Sequence, residues 1–534
     1  MLRRFLICLA FATWCFLNTW VEYAEGGIAY FARQDPIEAV VVPVICLEIL
    51  LALGMFAVWE GFRMWRLENG AMLHFLFLAC CLAPLGIASV AMLRVLPFDL
   101  TPAIRIRWFW PVALLAATIP LGLVVRQPRS ASRLLRTILL YSWPVLVLVI
   151  VQSARTTWLR YPPSAYADGS LAAPFKSPPP ATRVVWIIFD ELSQTIAFGH
   201  RPRGLALPNF DRLKSSSFYA SAAESPAEFT AVSMPSLILG ERVFRVTPQG
   251  PNDLRIRTAS RANPVAWSSL ANVFDAARDL GFNTALLGWY HPYGRLLNHS
   301  LTKSYWTAKW LAPGVEEPSG PRPFPQAMWD RLRLQFVVLP LVGHLPGVFP
   351  RIYQLQAKIE QFTWLDERAL EVAADPGIGL VLLHLPVPHP PAIYSRTEET
   401  LTPRGRLGYL DSVALADRTL GRLRQRMEQA GLWDRTAVLV SADHGWRTHL
   451  WHGTVDWTPD DDAVWRQDTS GVPFLLKLPG QTTGIVYGQP FNTIVTRELI
   501  TSILRGELTD PNGLGDFIRR QAPLKALSLT AIIG

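Results

Sequence analysis

The chain has 534 residues, a formal net charge of +9 and five cysteines, and its length calls for at least two units. The positive balance is one sign of a nucleic-acid binder, but no RNA- or DNA-binding motif and no basic stripe with interleaved aromatics is present, so nucleic acid is excluded as a partner. All five cysteines (Cys8, Cys15, Cys46, Cys80 and Cys81) fall in the apolar first part, which leaves the remainder without disulfides, thiolate metal ligands or a cysteine nucleophile.

Five stretches, 5–23, 37–59, 71–94, 108–126 and 134–152, are long and apolar enough to cross a bilayer, which takes about 20 residues. Arg3 and Arg4 precede the first, as in a signal peptide, but no convincing small-x-small cleavage site follows and the segment reads as a retained helix. Arg3, Arg4, Arg63, Arg66, Arg126, Arg129, Arg133 and Arg136 flank alternate spans and place the N-terminus in the cytoplasm; an odd number of spans then places the C-terminal part outside. Trp20, Trp59, Trp108 and Trp110 sit near span ends as interfacial anchors. Glu48, near the middle of the second span, is either a functional group or a partner for another span. Residues 1–152 therefore read as a five-helix transmembrane domain, and 153–182, rich in Pro, Ser and Ala, as an extended tether.

Residues 183–534 read as one α/β domain. "VVWIIF" (184–189) is an apolar run of the kind buried on both faces of a sheet. A helix is expected over 268–282, then strands at "NTALLG" and "GLVLLH" (379–384), a long amphipathic helix over 410–432, and strands at "TAVLVS" (436–441) and "VPFLLKLP". This alternation predicts a mostly parallel sheet with helices on both faces, and ligands in such sheets bind at the carboxyl ends of the strands. Four of those ends carry acids or histidines: Asp190 and Glu191; Asp443 and His444; His384, with His389 five residues on; and His291. Oxygen and imidazole donors without thiolate suit zinc or manganese, less clearly magnesium or calcium.

"SPAEFTAVSMPSLILG" (225–240) supplies the reacting group. Thr230 and Ser233 lie at the start of a predicted helix, where backbone N–H groups and the dipole favour an anion. A hydroxyl there, beside a dication, loses its proton readily. The plainer alternative is that Thr230 caps the helix.

In this order along the chain, "VVWIIFDE", "LPNFDRLKSSSFYASAAE" and "YLDSVALADRTLGRLRQRMEQAGLWDRTAVLVSADHG" resemble segments of the alkaline phosphatase–sulfatase superfamily over roughly 183–510. "TAVSMP" and "HLPVPHPPAIY" are similar to segments of its membrane-anchored members, the lipid A phosphoethanolamine transferases, and five spans ahead of such a domain also resemble lipoteichoic acid synthases. The resemblance implies an alkaline-phosphatase-like sheet outside a bacterial cytoplasmic membrane. It makes Thr230 the nucleophile, with Glu191, Asp443 and His444 sharing the metal and Asp190 as an alternative ligand. His389 would bind the phosphoryl group or a second metal. Ser233, His291, His384 and His452 would line the substrate, His449 being a rival to His452. The implied reaction moves phosphoethanolamine or phosphoglycerol from a membrane phospholipid to a lipid or glycan acceptor, by a monomer using a divalent ion, zinc first.

Two departures separate the chain from standard sulfatases. Leu237 replaces the arginine of the formylglycine motif, in which Ser233 would be the converted residue, and Trp289 replaces the lysine of "GKWH". The absence of outer-domain cysteines also sets it apart from the lipid A enzymes. A hydrolase of phosphodiesters or sulfate esters, and a non-catalytic envelope protein with a degenerate site, are the alternatives.

Overall fold

In the computed structural model the described residues are 1–17, 19–21, 37–65, 71–81, 126–160, 171–176, 182–250, 252–307, 310, 323–338 and 350–521. The chain divides into two compact units: 1–28, 34–166 and 318–351 form one, and 29–33, 167–317 and 352–534 form the other.

The first unit contains the helices Leu2–Cys15, Ile37–Met64, Ala71–Cys80, Pro128–Tyr141 and Trp143–Arg160. Among the described residues only Val41–Met64 is long and apolar enough by itself to cross a membrane. Pro128–Tyr141 and Trp143–Arg155, bent by 42° at their junction, pass the same test as a pair. The five crossings expected from the sequence therefore meet one such helix, or two. Leu2–Cys15 is shorter than a crossing needs, and 82–94 of the expected third span and 108–125 of the fourth lie outside the described residues. Leu50, Leu53 and Val58 on the long helix are exposed, an apolar face of the kind that meets lipid or another protein. Glu48 is buried, accepting a hydrogen bond from Trp20 Nε1 (2.6 Å) with Thr13 Oγ1 at 3.5 Å. It thus acts as a partner between helices. The helix Phe324–Val338 belongs to this unit and packs on Ile37–Met64, with Leu332 against Phe16, Trp20 and Val44.

The second unit is built on β1 (Arg183–Phe189), β2 (Phe218–Glu224), β3 (Val243–Gly250), β4 (Asp253–Thr258), β5 (Arg261–Ala266), β6 (Thr284–Gly288), β7 (Lys303–Trp306), β8 (Leu380–Leu385), β9 (Tyr394–Ser395), β10 (Thr400–Leu401), β11 (Thr436–Ser441), β12 (Val472–Lys477), β13 (Ile485–Tyr487) and β14 (Phe491–Asn492). The main sheet has nine strands in the order β13-β2-β12-β11-β1-β8-β6-β7, with β14 also beside β2. Only β12 runs against its neighbours; the other pairings are parallel. β1, β8 and β11 are buried along their whole length, as their unbroken apolar runs require. Ile188 pairs with both Ser441 and His384, and His384 with Gly288, so four parallel strands end on one rim. β3, β4 and β5 form a separate antiparallel sheet.

The helix expected over 268–282 is shorter, Val273–Asp279, because Asn272 caps it by accepting from the Phe274 and Asp275 N–H groups. The long helix runs Tyr409–Gln429. The short helix Pro208–Lys214 docks on it: the Phe210 N–H and Asn209 Nδ2 donate to Asp417 at 2.7 and 2.9 Å. A Cβ at Gly421 would stand 2.6 Å from Asn209 Oδ1, so the contact depends on glycine there. The expected tether is helical as far as Arg160. Its stretch 171–176 is fastened to the second unit, with the Phe175 N–H donating to Asn283 Oδ1 (2.7 Å).

Candidate active site

β1 delivers two consecutive acids to the rim, and they part ways. Glu191 has a left-handed backbone (φ 69°), a conformation that costs a non-glycine residue about 1–3 kcal/mol. Its N–H donates to Asp443 Oδ1 (3.1 Å), and its carbonyl accepts from the Tyr409 hydroxyl (2.8 Å), which itself accepts from the Ser193 N–H (2.9 Å). The Tyr409 ring stacks flat on Trp446, with centroids 4.1 Å apart.

Thr230 opens the helix Thr230–Leu239, which ends at Gly240 with φ 65°. Phe229 occupies the N-cap position and no side chain caps the helix, so the Thr230 hydroxyl is not spent on capping. It donates to Asp443 Oδ2 (2.7 Å) and lies 3.2 Å from His444 Nε2 and 3.5 Å from Asp190 Oδ2. His444 Nδ1 donates to the Gly445 carbonyl (3.0 Å). In the neutral ring this leaves Nε2 as a bare lone pair facing the threonine, the tautomer control usual for metal-binding histidines.

Asp190, Asp443 and His444 offer ligand atoms that all lie within 4.8 Å of one another. Both aspartates are wholly buried. Burial pushes Asp190 well above the usual carboxylate range and the charge of Asp443 adds to it. Burial acts the same way on Asp443, but His444, His384 and the Thr230 hydrogen bond outweigh it and hold that group low. Asp190 Oδ1 is buried and, among the described residues, accepts no hydrogen bond. Two buried acids, an orphaned carboxylate oxygen and a bare imidazole nitrogen fit a divalent cation, which would neutralise them and supply the missing partner.

The other expected residues have different surroundings. Ser233 is buried and its hydroxyl donates to the Asp443 carbonyl, so it props the cluster and does not face a substrate. His384 is wholly buried, with Tyr293 OH at 2.9 Å from Nδ1 and Asp190 Oδ2 at 3.6 Å from Nε2. His291 lies among Trp267, Tyr290 and Tyr293. Burial and His384 push it down to about 3, against the Thr230 and Ala231 backbone and Asp443; it backs the start of the helix as a neutral ring. His389 sits among Trp289, Trp310 and Trp451, with Nε2 3.7 Å from Glu191 Oε2. His452 is exposed and rests on Trp457 and Trp465; none of its contacts among the described residues reaches the cluster.

Arg447 and Trp451 escaped the sequence reading. The Arg447 N–H and Nε donate to Glu191 Oε1 (2.8 and 3.2 Å), Nη2 donates to Oε2 (3.0 Å), and Trp451 Nε1 donates to Oε1 (2.8 Å). Burial pushes the Glu191 carboxyl up, but His389 and Arg447 outweigh it and hold it down to about 2. The acid that gathers with Thr230, Asp443 and His444 is therefore Asp190, the residue expected only as an alternative, while Glu191 is turned to Arg447 and His389. The only hint was the run "DHGWRTHLW", unusual after its first three residues.

Gly445 closes the cluster. A Cβ there would lie 2.1 Å from the Thr469 carbonyl oxygen and 2.6 Å from that of Ser470. Gly445→Ala is expected to destabilise the protein by at least about 1–3 kcal/mol through overpacking and to shift the adjacent His444. Chemical denaturation read together with bound-metal content checks both.

The sulfatase family profile matches residues 182–493, more than half of the chain. A curated relative, the ulvan-active sulfatase of Formosa agariphila, is 31% identical over 105 residues, a match that spans 19% of each chain. Among solved structures, the phosphonate monoester hydrolase SpPMH from Silicibacter pomeroyi is 15% identical, with 61% of this chain and 73% of that one covered and a TM-score of 0.41. The lipoteichoic acid synthase LtaP from Listeria monocytogenes is 14% identical, with 60% and 72% covered and a TM-score of 0.37. With its sheet, the order of its motifs and the profile in agreement, the chain belongs to the sulfatase family.

Proposed function

We propose that this sulfatase-family enzyme transfers a phospho-group, of the phosphoethanolamine or phosphoglycerol type, from a membrane phospholipid to an envelope lipid or glycan through Thr230. The observation that carries the reading is the Thr230 hydroxyl, 2.7 Å from Asp443 Oδ2 and free of any capping role. Asp190, Asp443 and His444 would hold the divalent cation, zinc first, which when bound would ease loss of the Thr230 proton and polarise the ester. Asp443 orients the hydroxyl, Ser233 fixes the Asp443 backbone, and His389 faces Glu191 on the side of the site lined by tryptophans. The exposed apolar face of Val41–Met64 supports attachment to a bacterial cytoplasmic membrane, with the N-terminus inside and the second unit outside. Attachment keeps a monomeric enzyme near its lipid donor.

Incubating the full-length protein, in detergent with zinc, with headgroup-labelled phosphatidylethanolamine or phosphatidylglycerol tests this reading. The expected result is label held covalently by the protein and released to a glycan acceptor. Rapid release of aryl sulfate or aryl phosphate products to water, with no labelled protein from either lipid, would favour the ester-hydrolase reading.

A further inference from the structure

We propose that Arg447 is a built-in second cation of this site: it occupies Glu191, so that one divalent ion is bound and not two, and its Nη1 edge receives an anionic oxygen of the ester group. The inference rests on the metal-assisted reading above and adds how the anion is held. Asp190, Glu191 and His389 form a second group whose ligand atoms lie within 4.8 Å of one another, spacing that by itself would suit a second ion. Glu191, however, accepts four hydrogen bonds, three from Arg447 and one from Trp451. Oε1 takes three of these and Oε2 one, so Oε1 is saturated and the oxygen that keeps a lone pair is already paired with the guanidinium charge a second ion would have to displace.

The guanidinium that fills this place is itself only partly used. Nε and Nη2 are committed to Glu191, and Nη1 makes no hydrogen bond to any described residue. The side chain is 11% exposed, so it opens outward from a carboxylate that is wholly covered. Its Cζ lies 5.6 Å from the ring centroid of Phe229, the residue immediately before Thr230. A planar, permanently charged fork clamped on one edge presents its other edge in a fixed direction, an arrangement that suits the oxygens of a tetrahedral phosphate or sulfate.

The test uses full-length protein in detergent, zinc as the metal and inorganic phosphate as the anion. Mass-spectrometric metal analysis at saturating zinc should give one ion per chain for the wild type and two for Arg447→Ala, in which Glu191 and His389 become available. Calorimetric titration of the zinc-loaded proteins should show phosphate binding weakened roughly ten- to a hundredfold in Arg447→Ala, as expected for loss of a charged hydrogen bond. Arg447→Lys keeps a cation but not the fork and should weaken phosphate binding several-fold, a readout that stands if the alanine variant does not fold. Two zinc ions on the wild type, one on Arg447→Ala, or unchanged phosphate affinity in either variant would overturn the proposal. A wild type that binds no zinc would instead overturn the metal-site reading beneath it.

Discussion

Thr230→Ala is expected to lower kcat/KM by on the order of 10⁴-fold or more, the scale seen when a nucleophile acting as part of a unit is removed. The hydroxyl touches both Asp443 and His444, whereas that of Ser233 is committed to the Asp443 carbonyl. Thr230→Ser should retain a measurable fraction of the activity, because the oxygen is kept. Ser233→Ala should act through stability and the placement of Asp443, and so cost far less. Steady-state kinetics on a single phosphodiester substrate, with thermal melting of each variant, separates the two hydroxyls. Equal losses at 230 and 233 would contradict the assignment of the reacting oxygen.

Asp190→Asn should have opposite effects on the metal-free and metal-loaded protein. Without a cation, Asp190 is a wholly buried carboxylate beside Asp443, pushed well above its usual range by burial and by that neighbour. An amide of the same shape removes the like charge and should raise the melting temperature of chelator-treated protein at neutral pH. The sign follows from linkage: a carboxyl raised by folding weakens the fold wherever it is forced to ionise, and asparagine cannot ionise. With metal present the ranking reverses. The wild type gains binding free energy, about 2.7 kcal/mol when the ion is at a hundred times its Kd, and the variant loses most of that gain. Activity should fall on the order of 10³-fold, beyond the 10–100-fold typical of an outer-shell partner. Melting curves with chelator and with zinc, on both proteins, form the check.

What the sequence disclosed and what it withheld divide along a physical line. Buried parallel strands such as β1, β8 and β11 are continuous apolar runs and announce themselves, as do the polar residues that end them. β3 and β5 carry arginine and proline and show no clean alternation, and β4 alternates in burial over only six residues with two arginines among them, too short a signal to stand out. The direction of Glu191 was hidden because adjacent acids are equivalent in a sequence. It took a left-handed backbone and a guanidinium from 256 residues away to turn one toward the threonine cluster and the other aside. The "PN-x-D" run was legible as a family signature, yet its Asn209 serves packing, through Asp417. Apolar length alone does not tell a full crossing from a shorter helix such as Leu2–Cys15, and among the described residues one helix, or two, passes as a crossing.

The reversal of β12 has a practical side. Its carboxyl end leaves the sheet at the edge remote from the chemistry, and residues 482 and 483, just beyond it, are exposed. A fluorophore, biotin or affinity handle placed there would report on or immobilise the protein without approaching Thr230, since exposed loop positions tolerate such additions best.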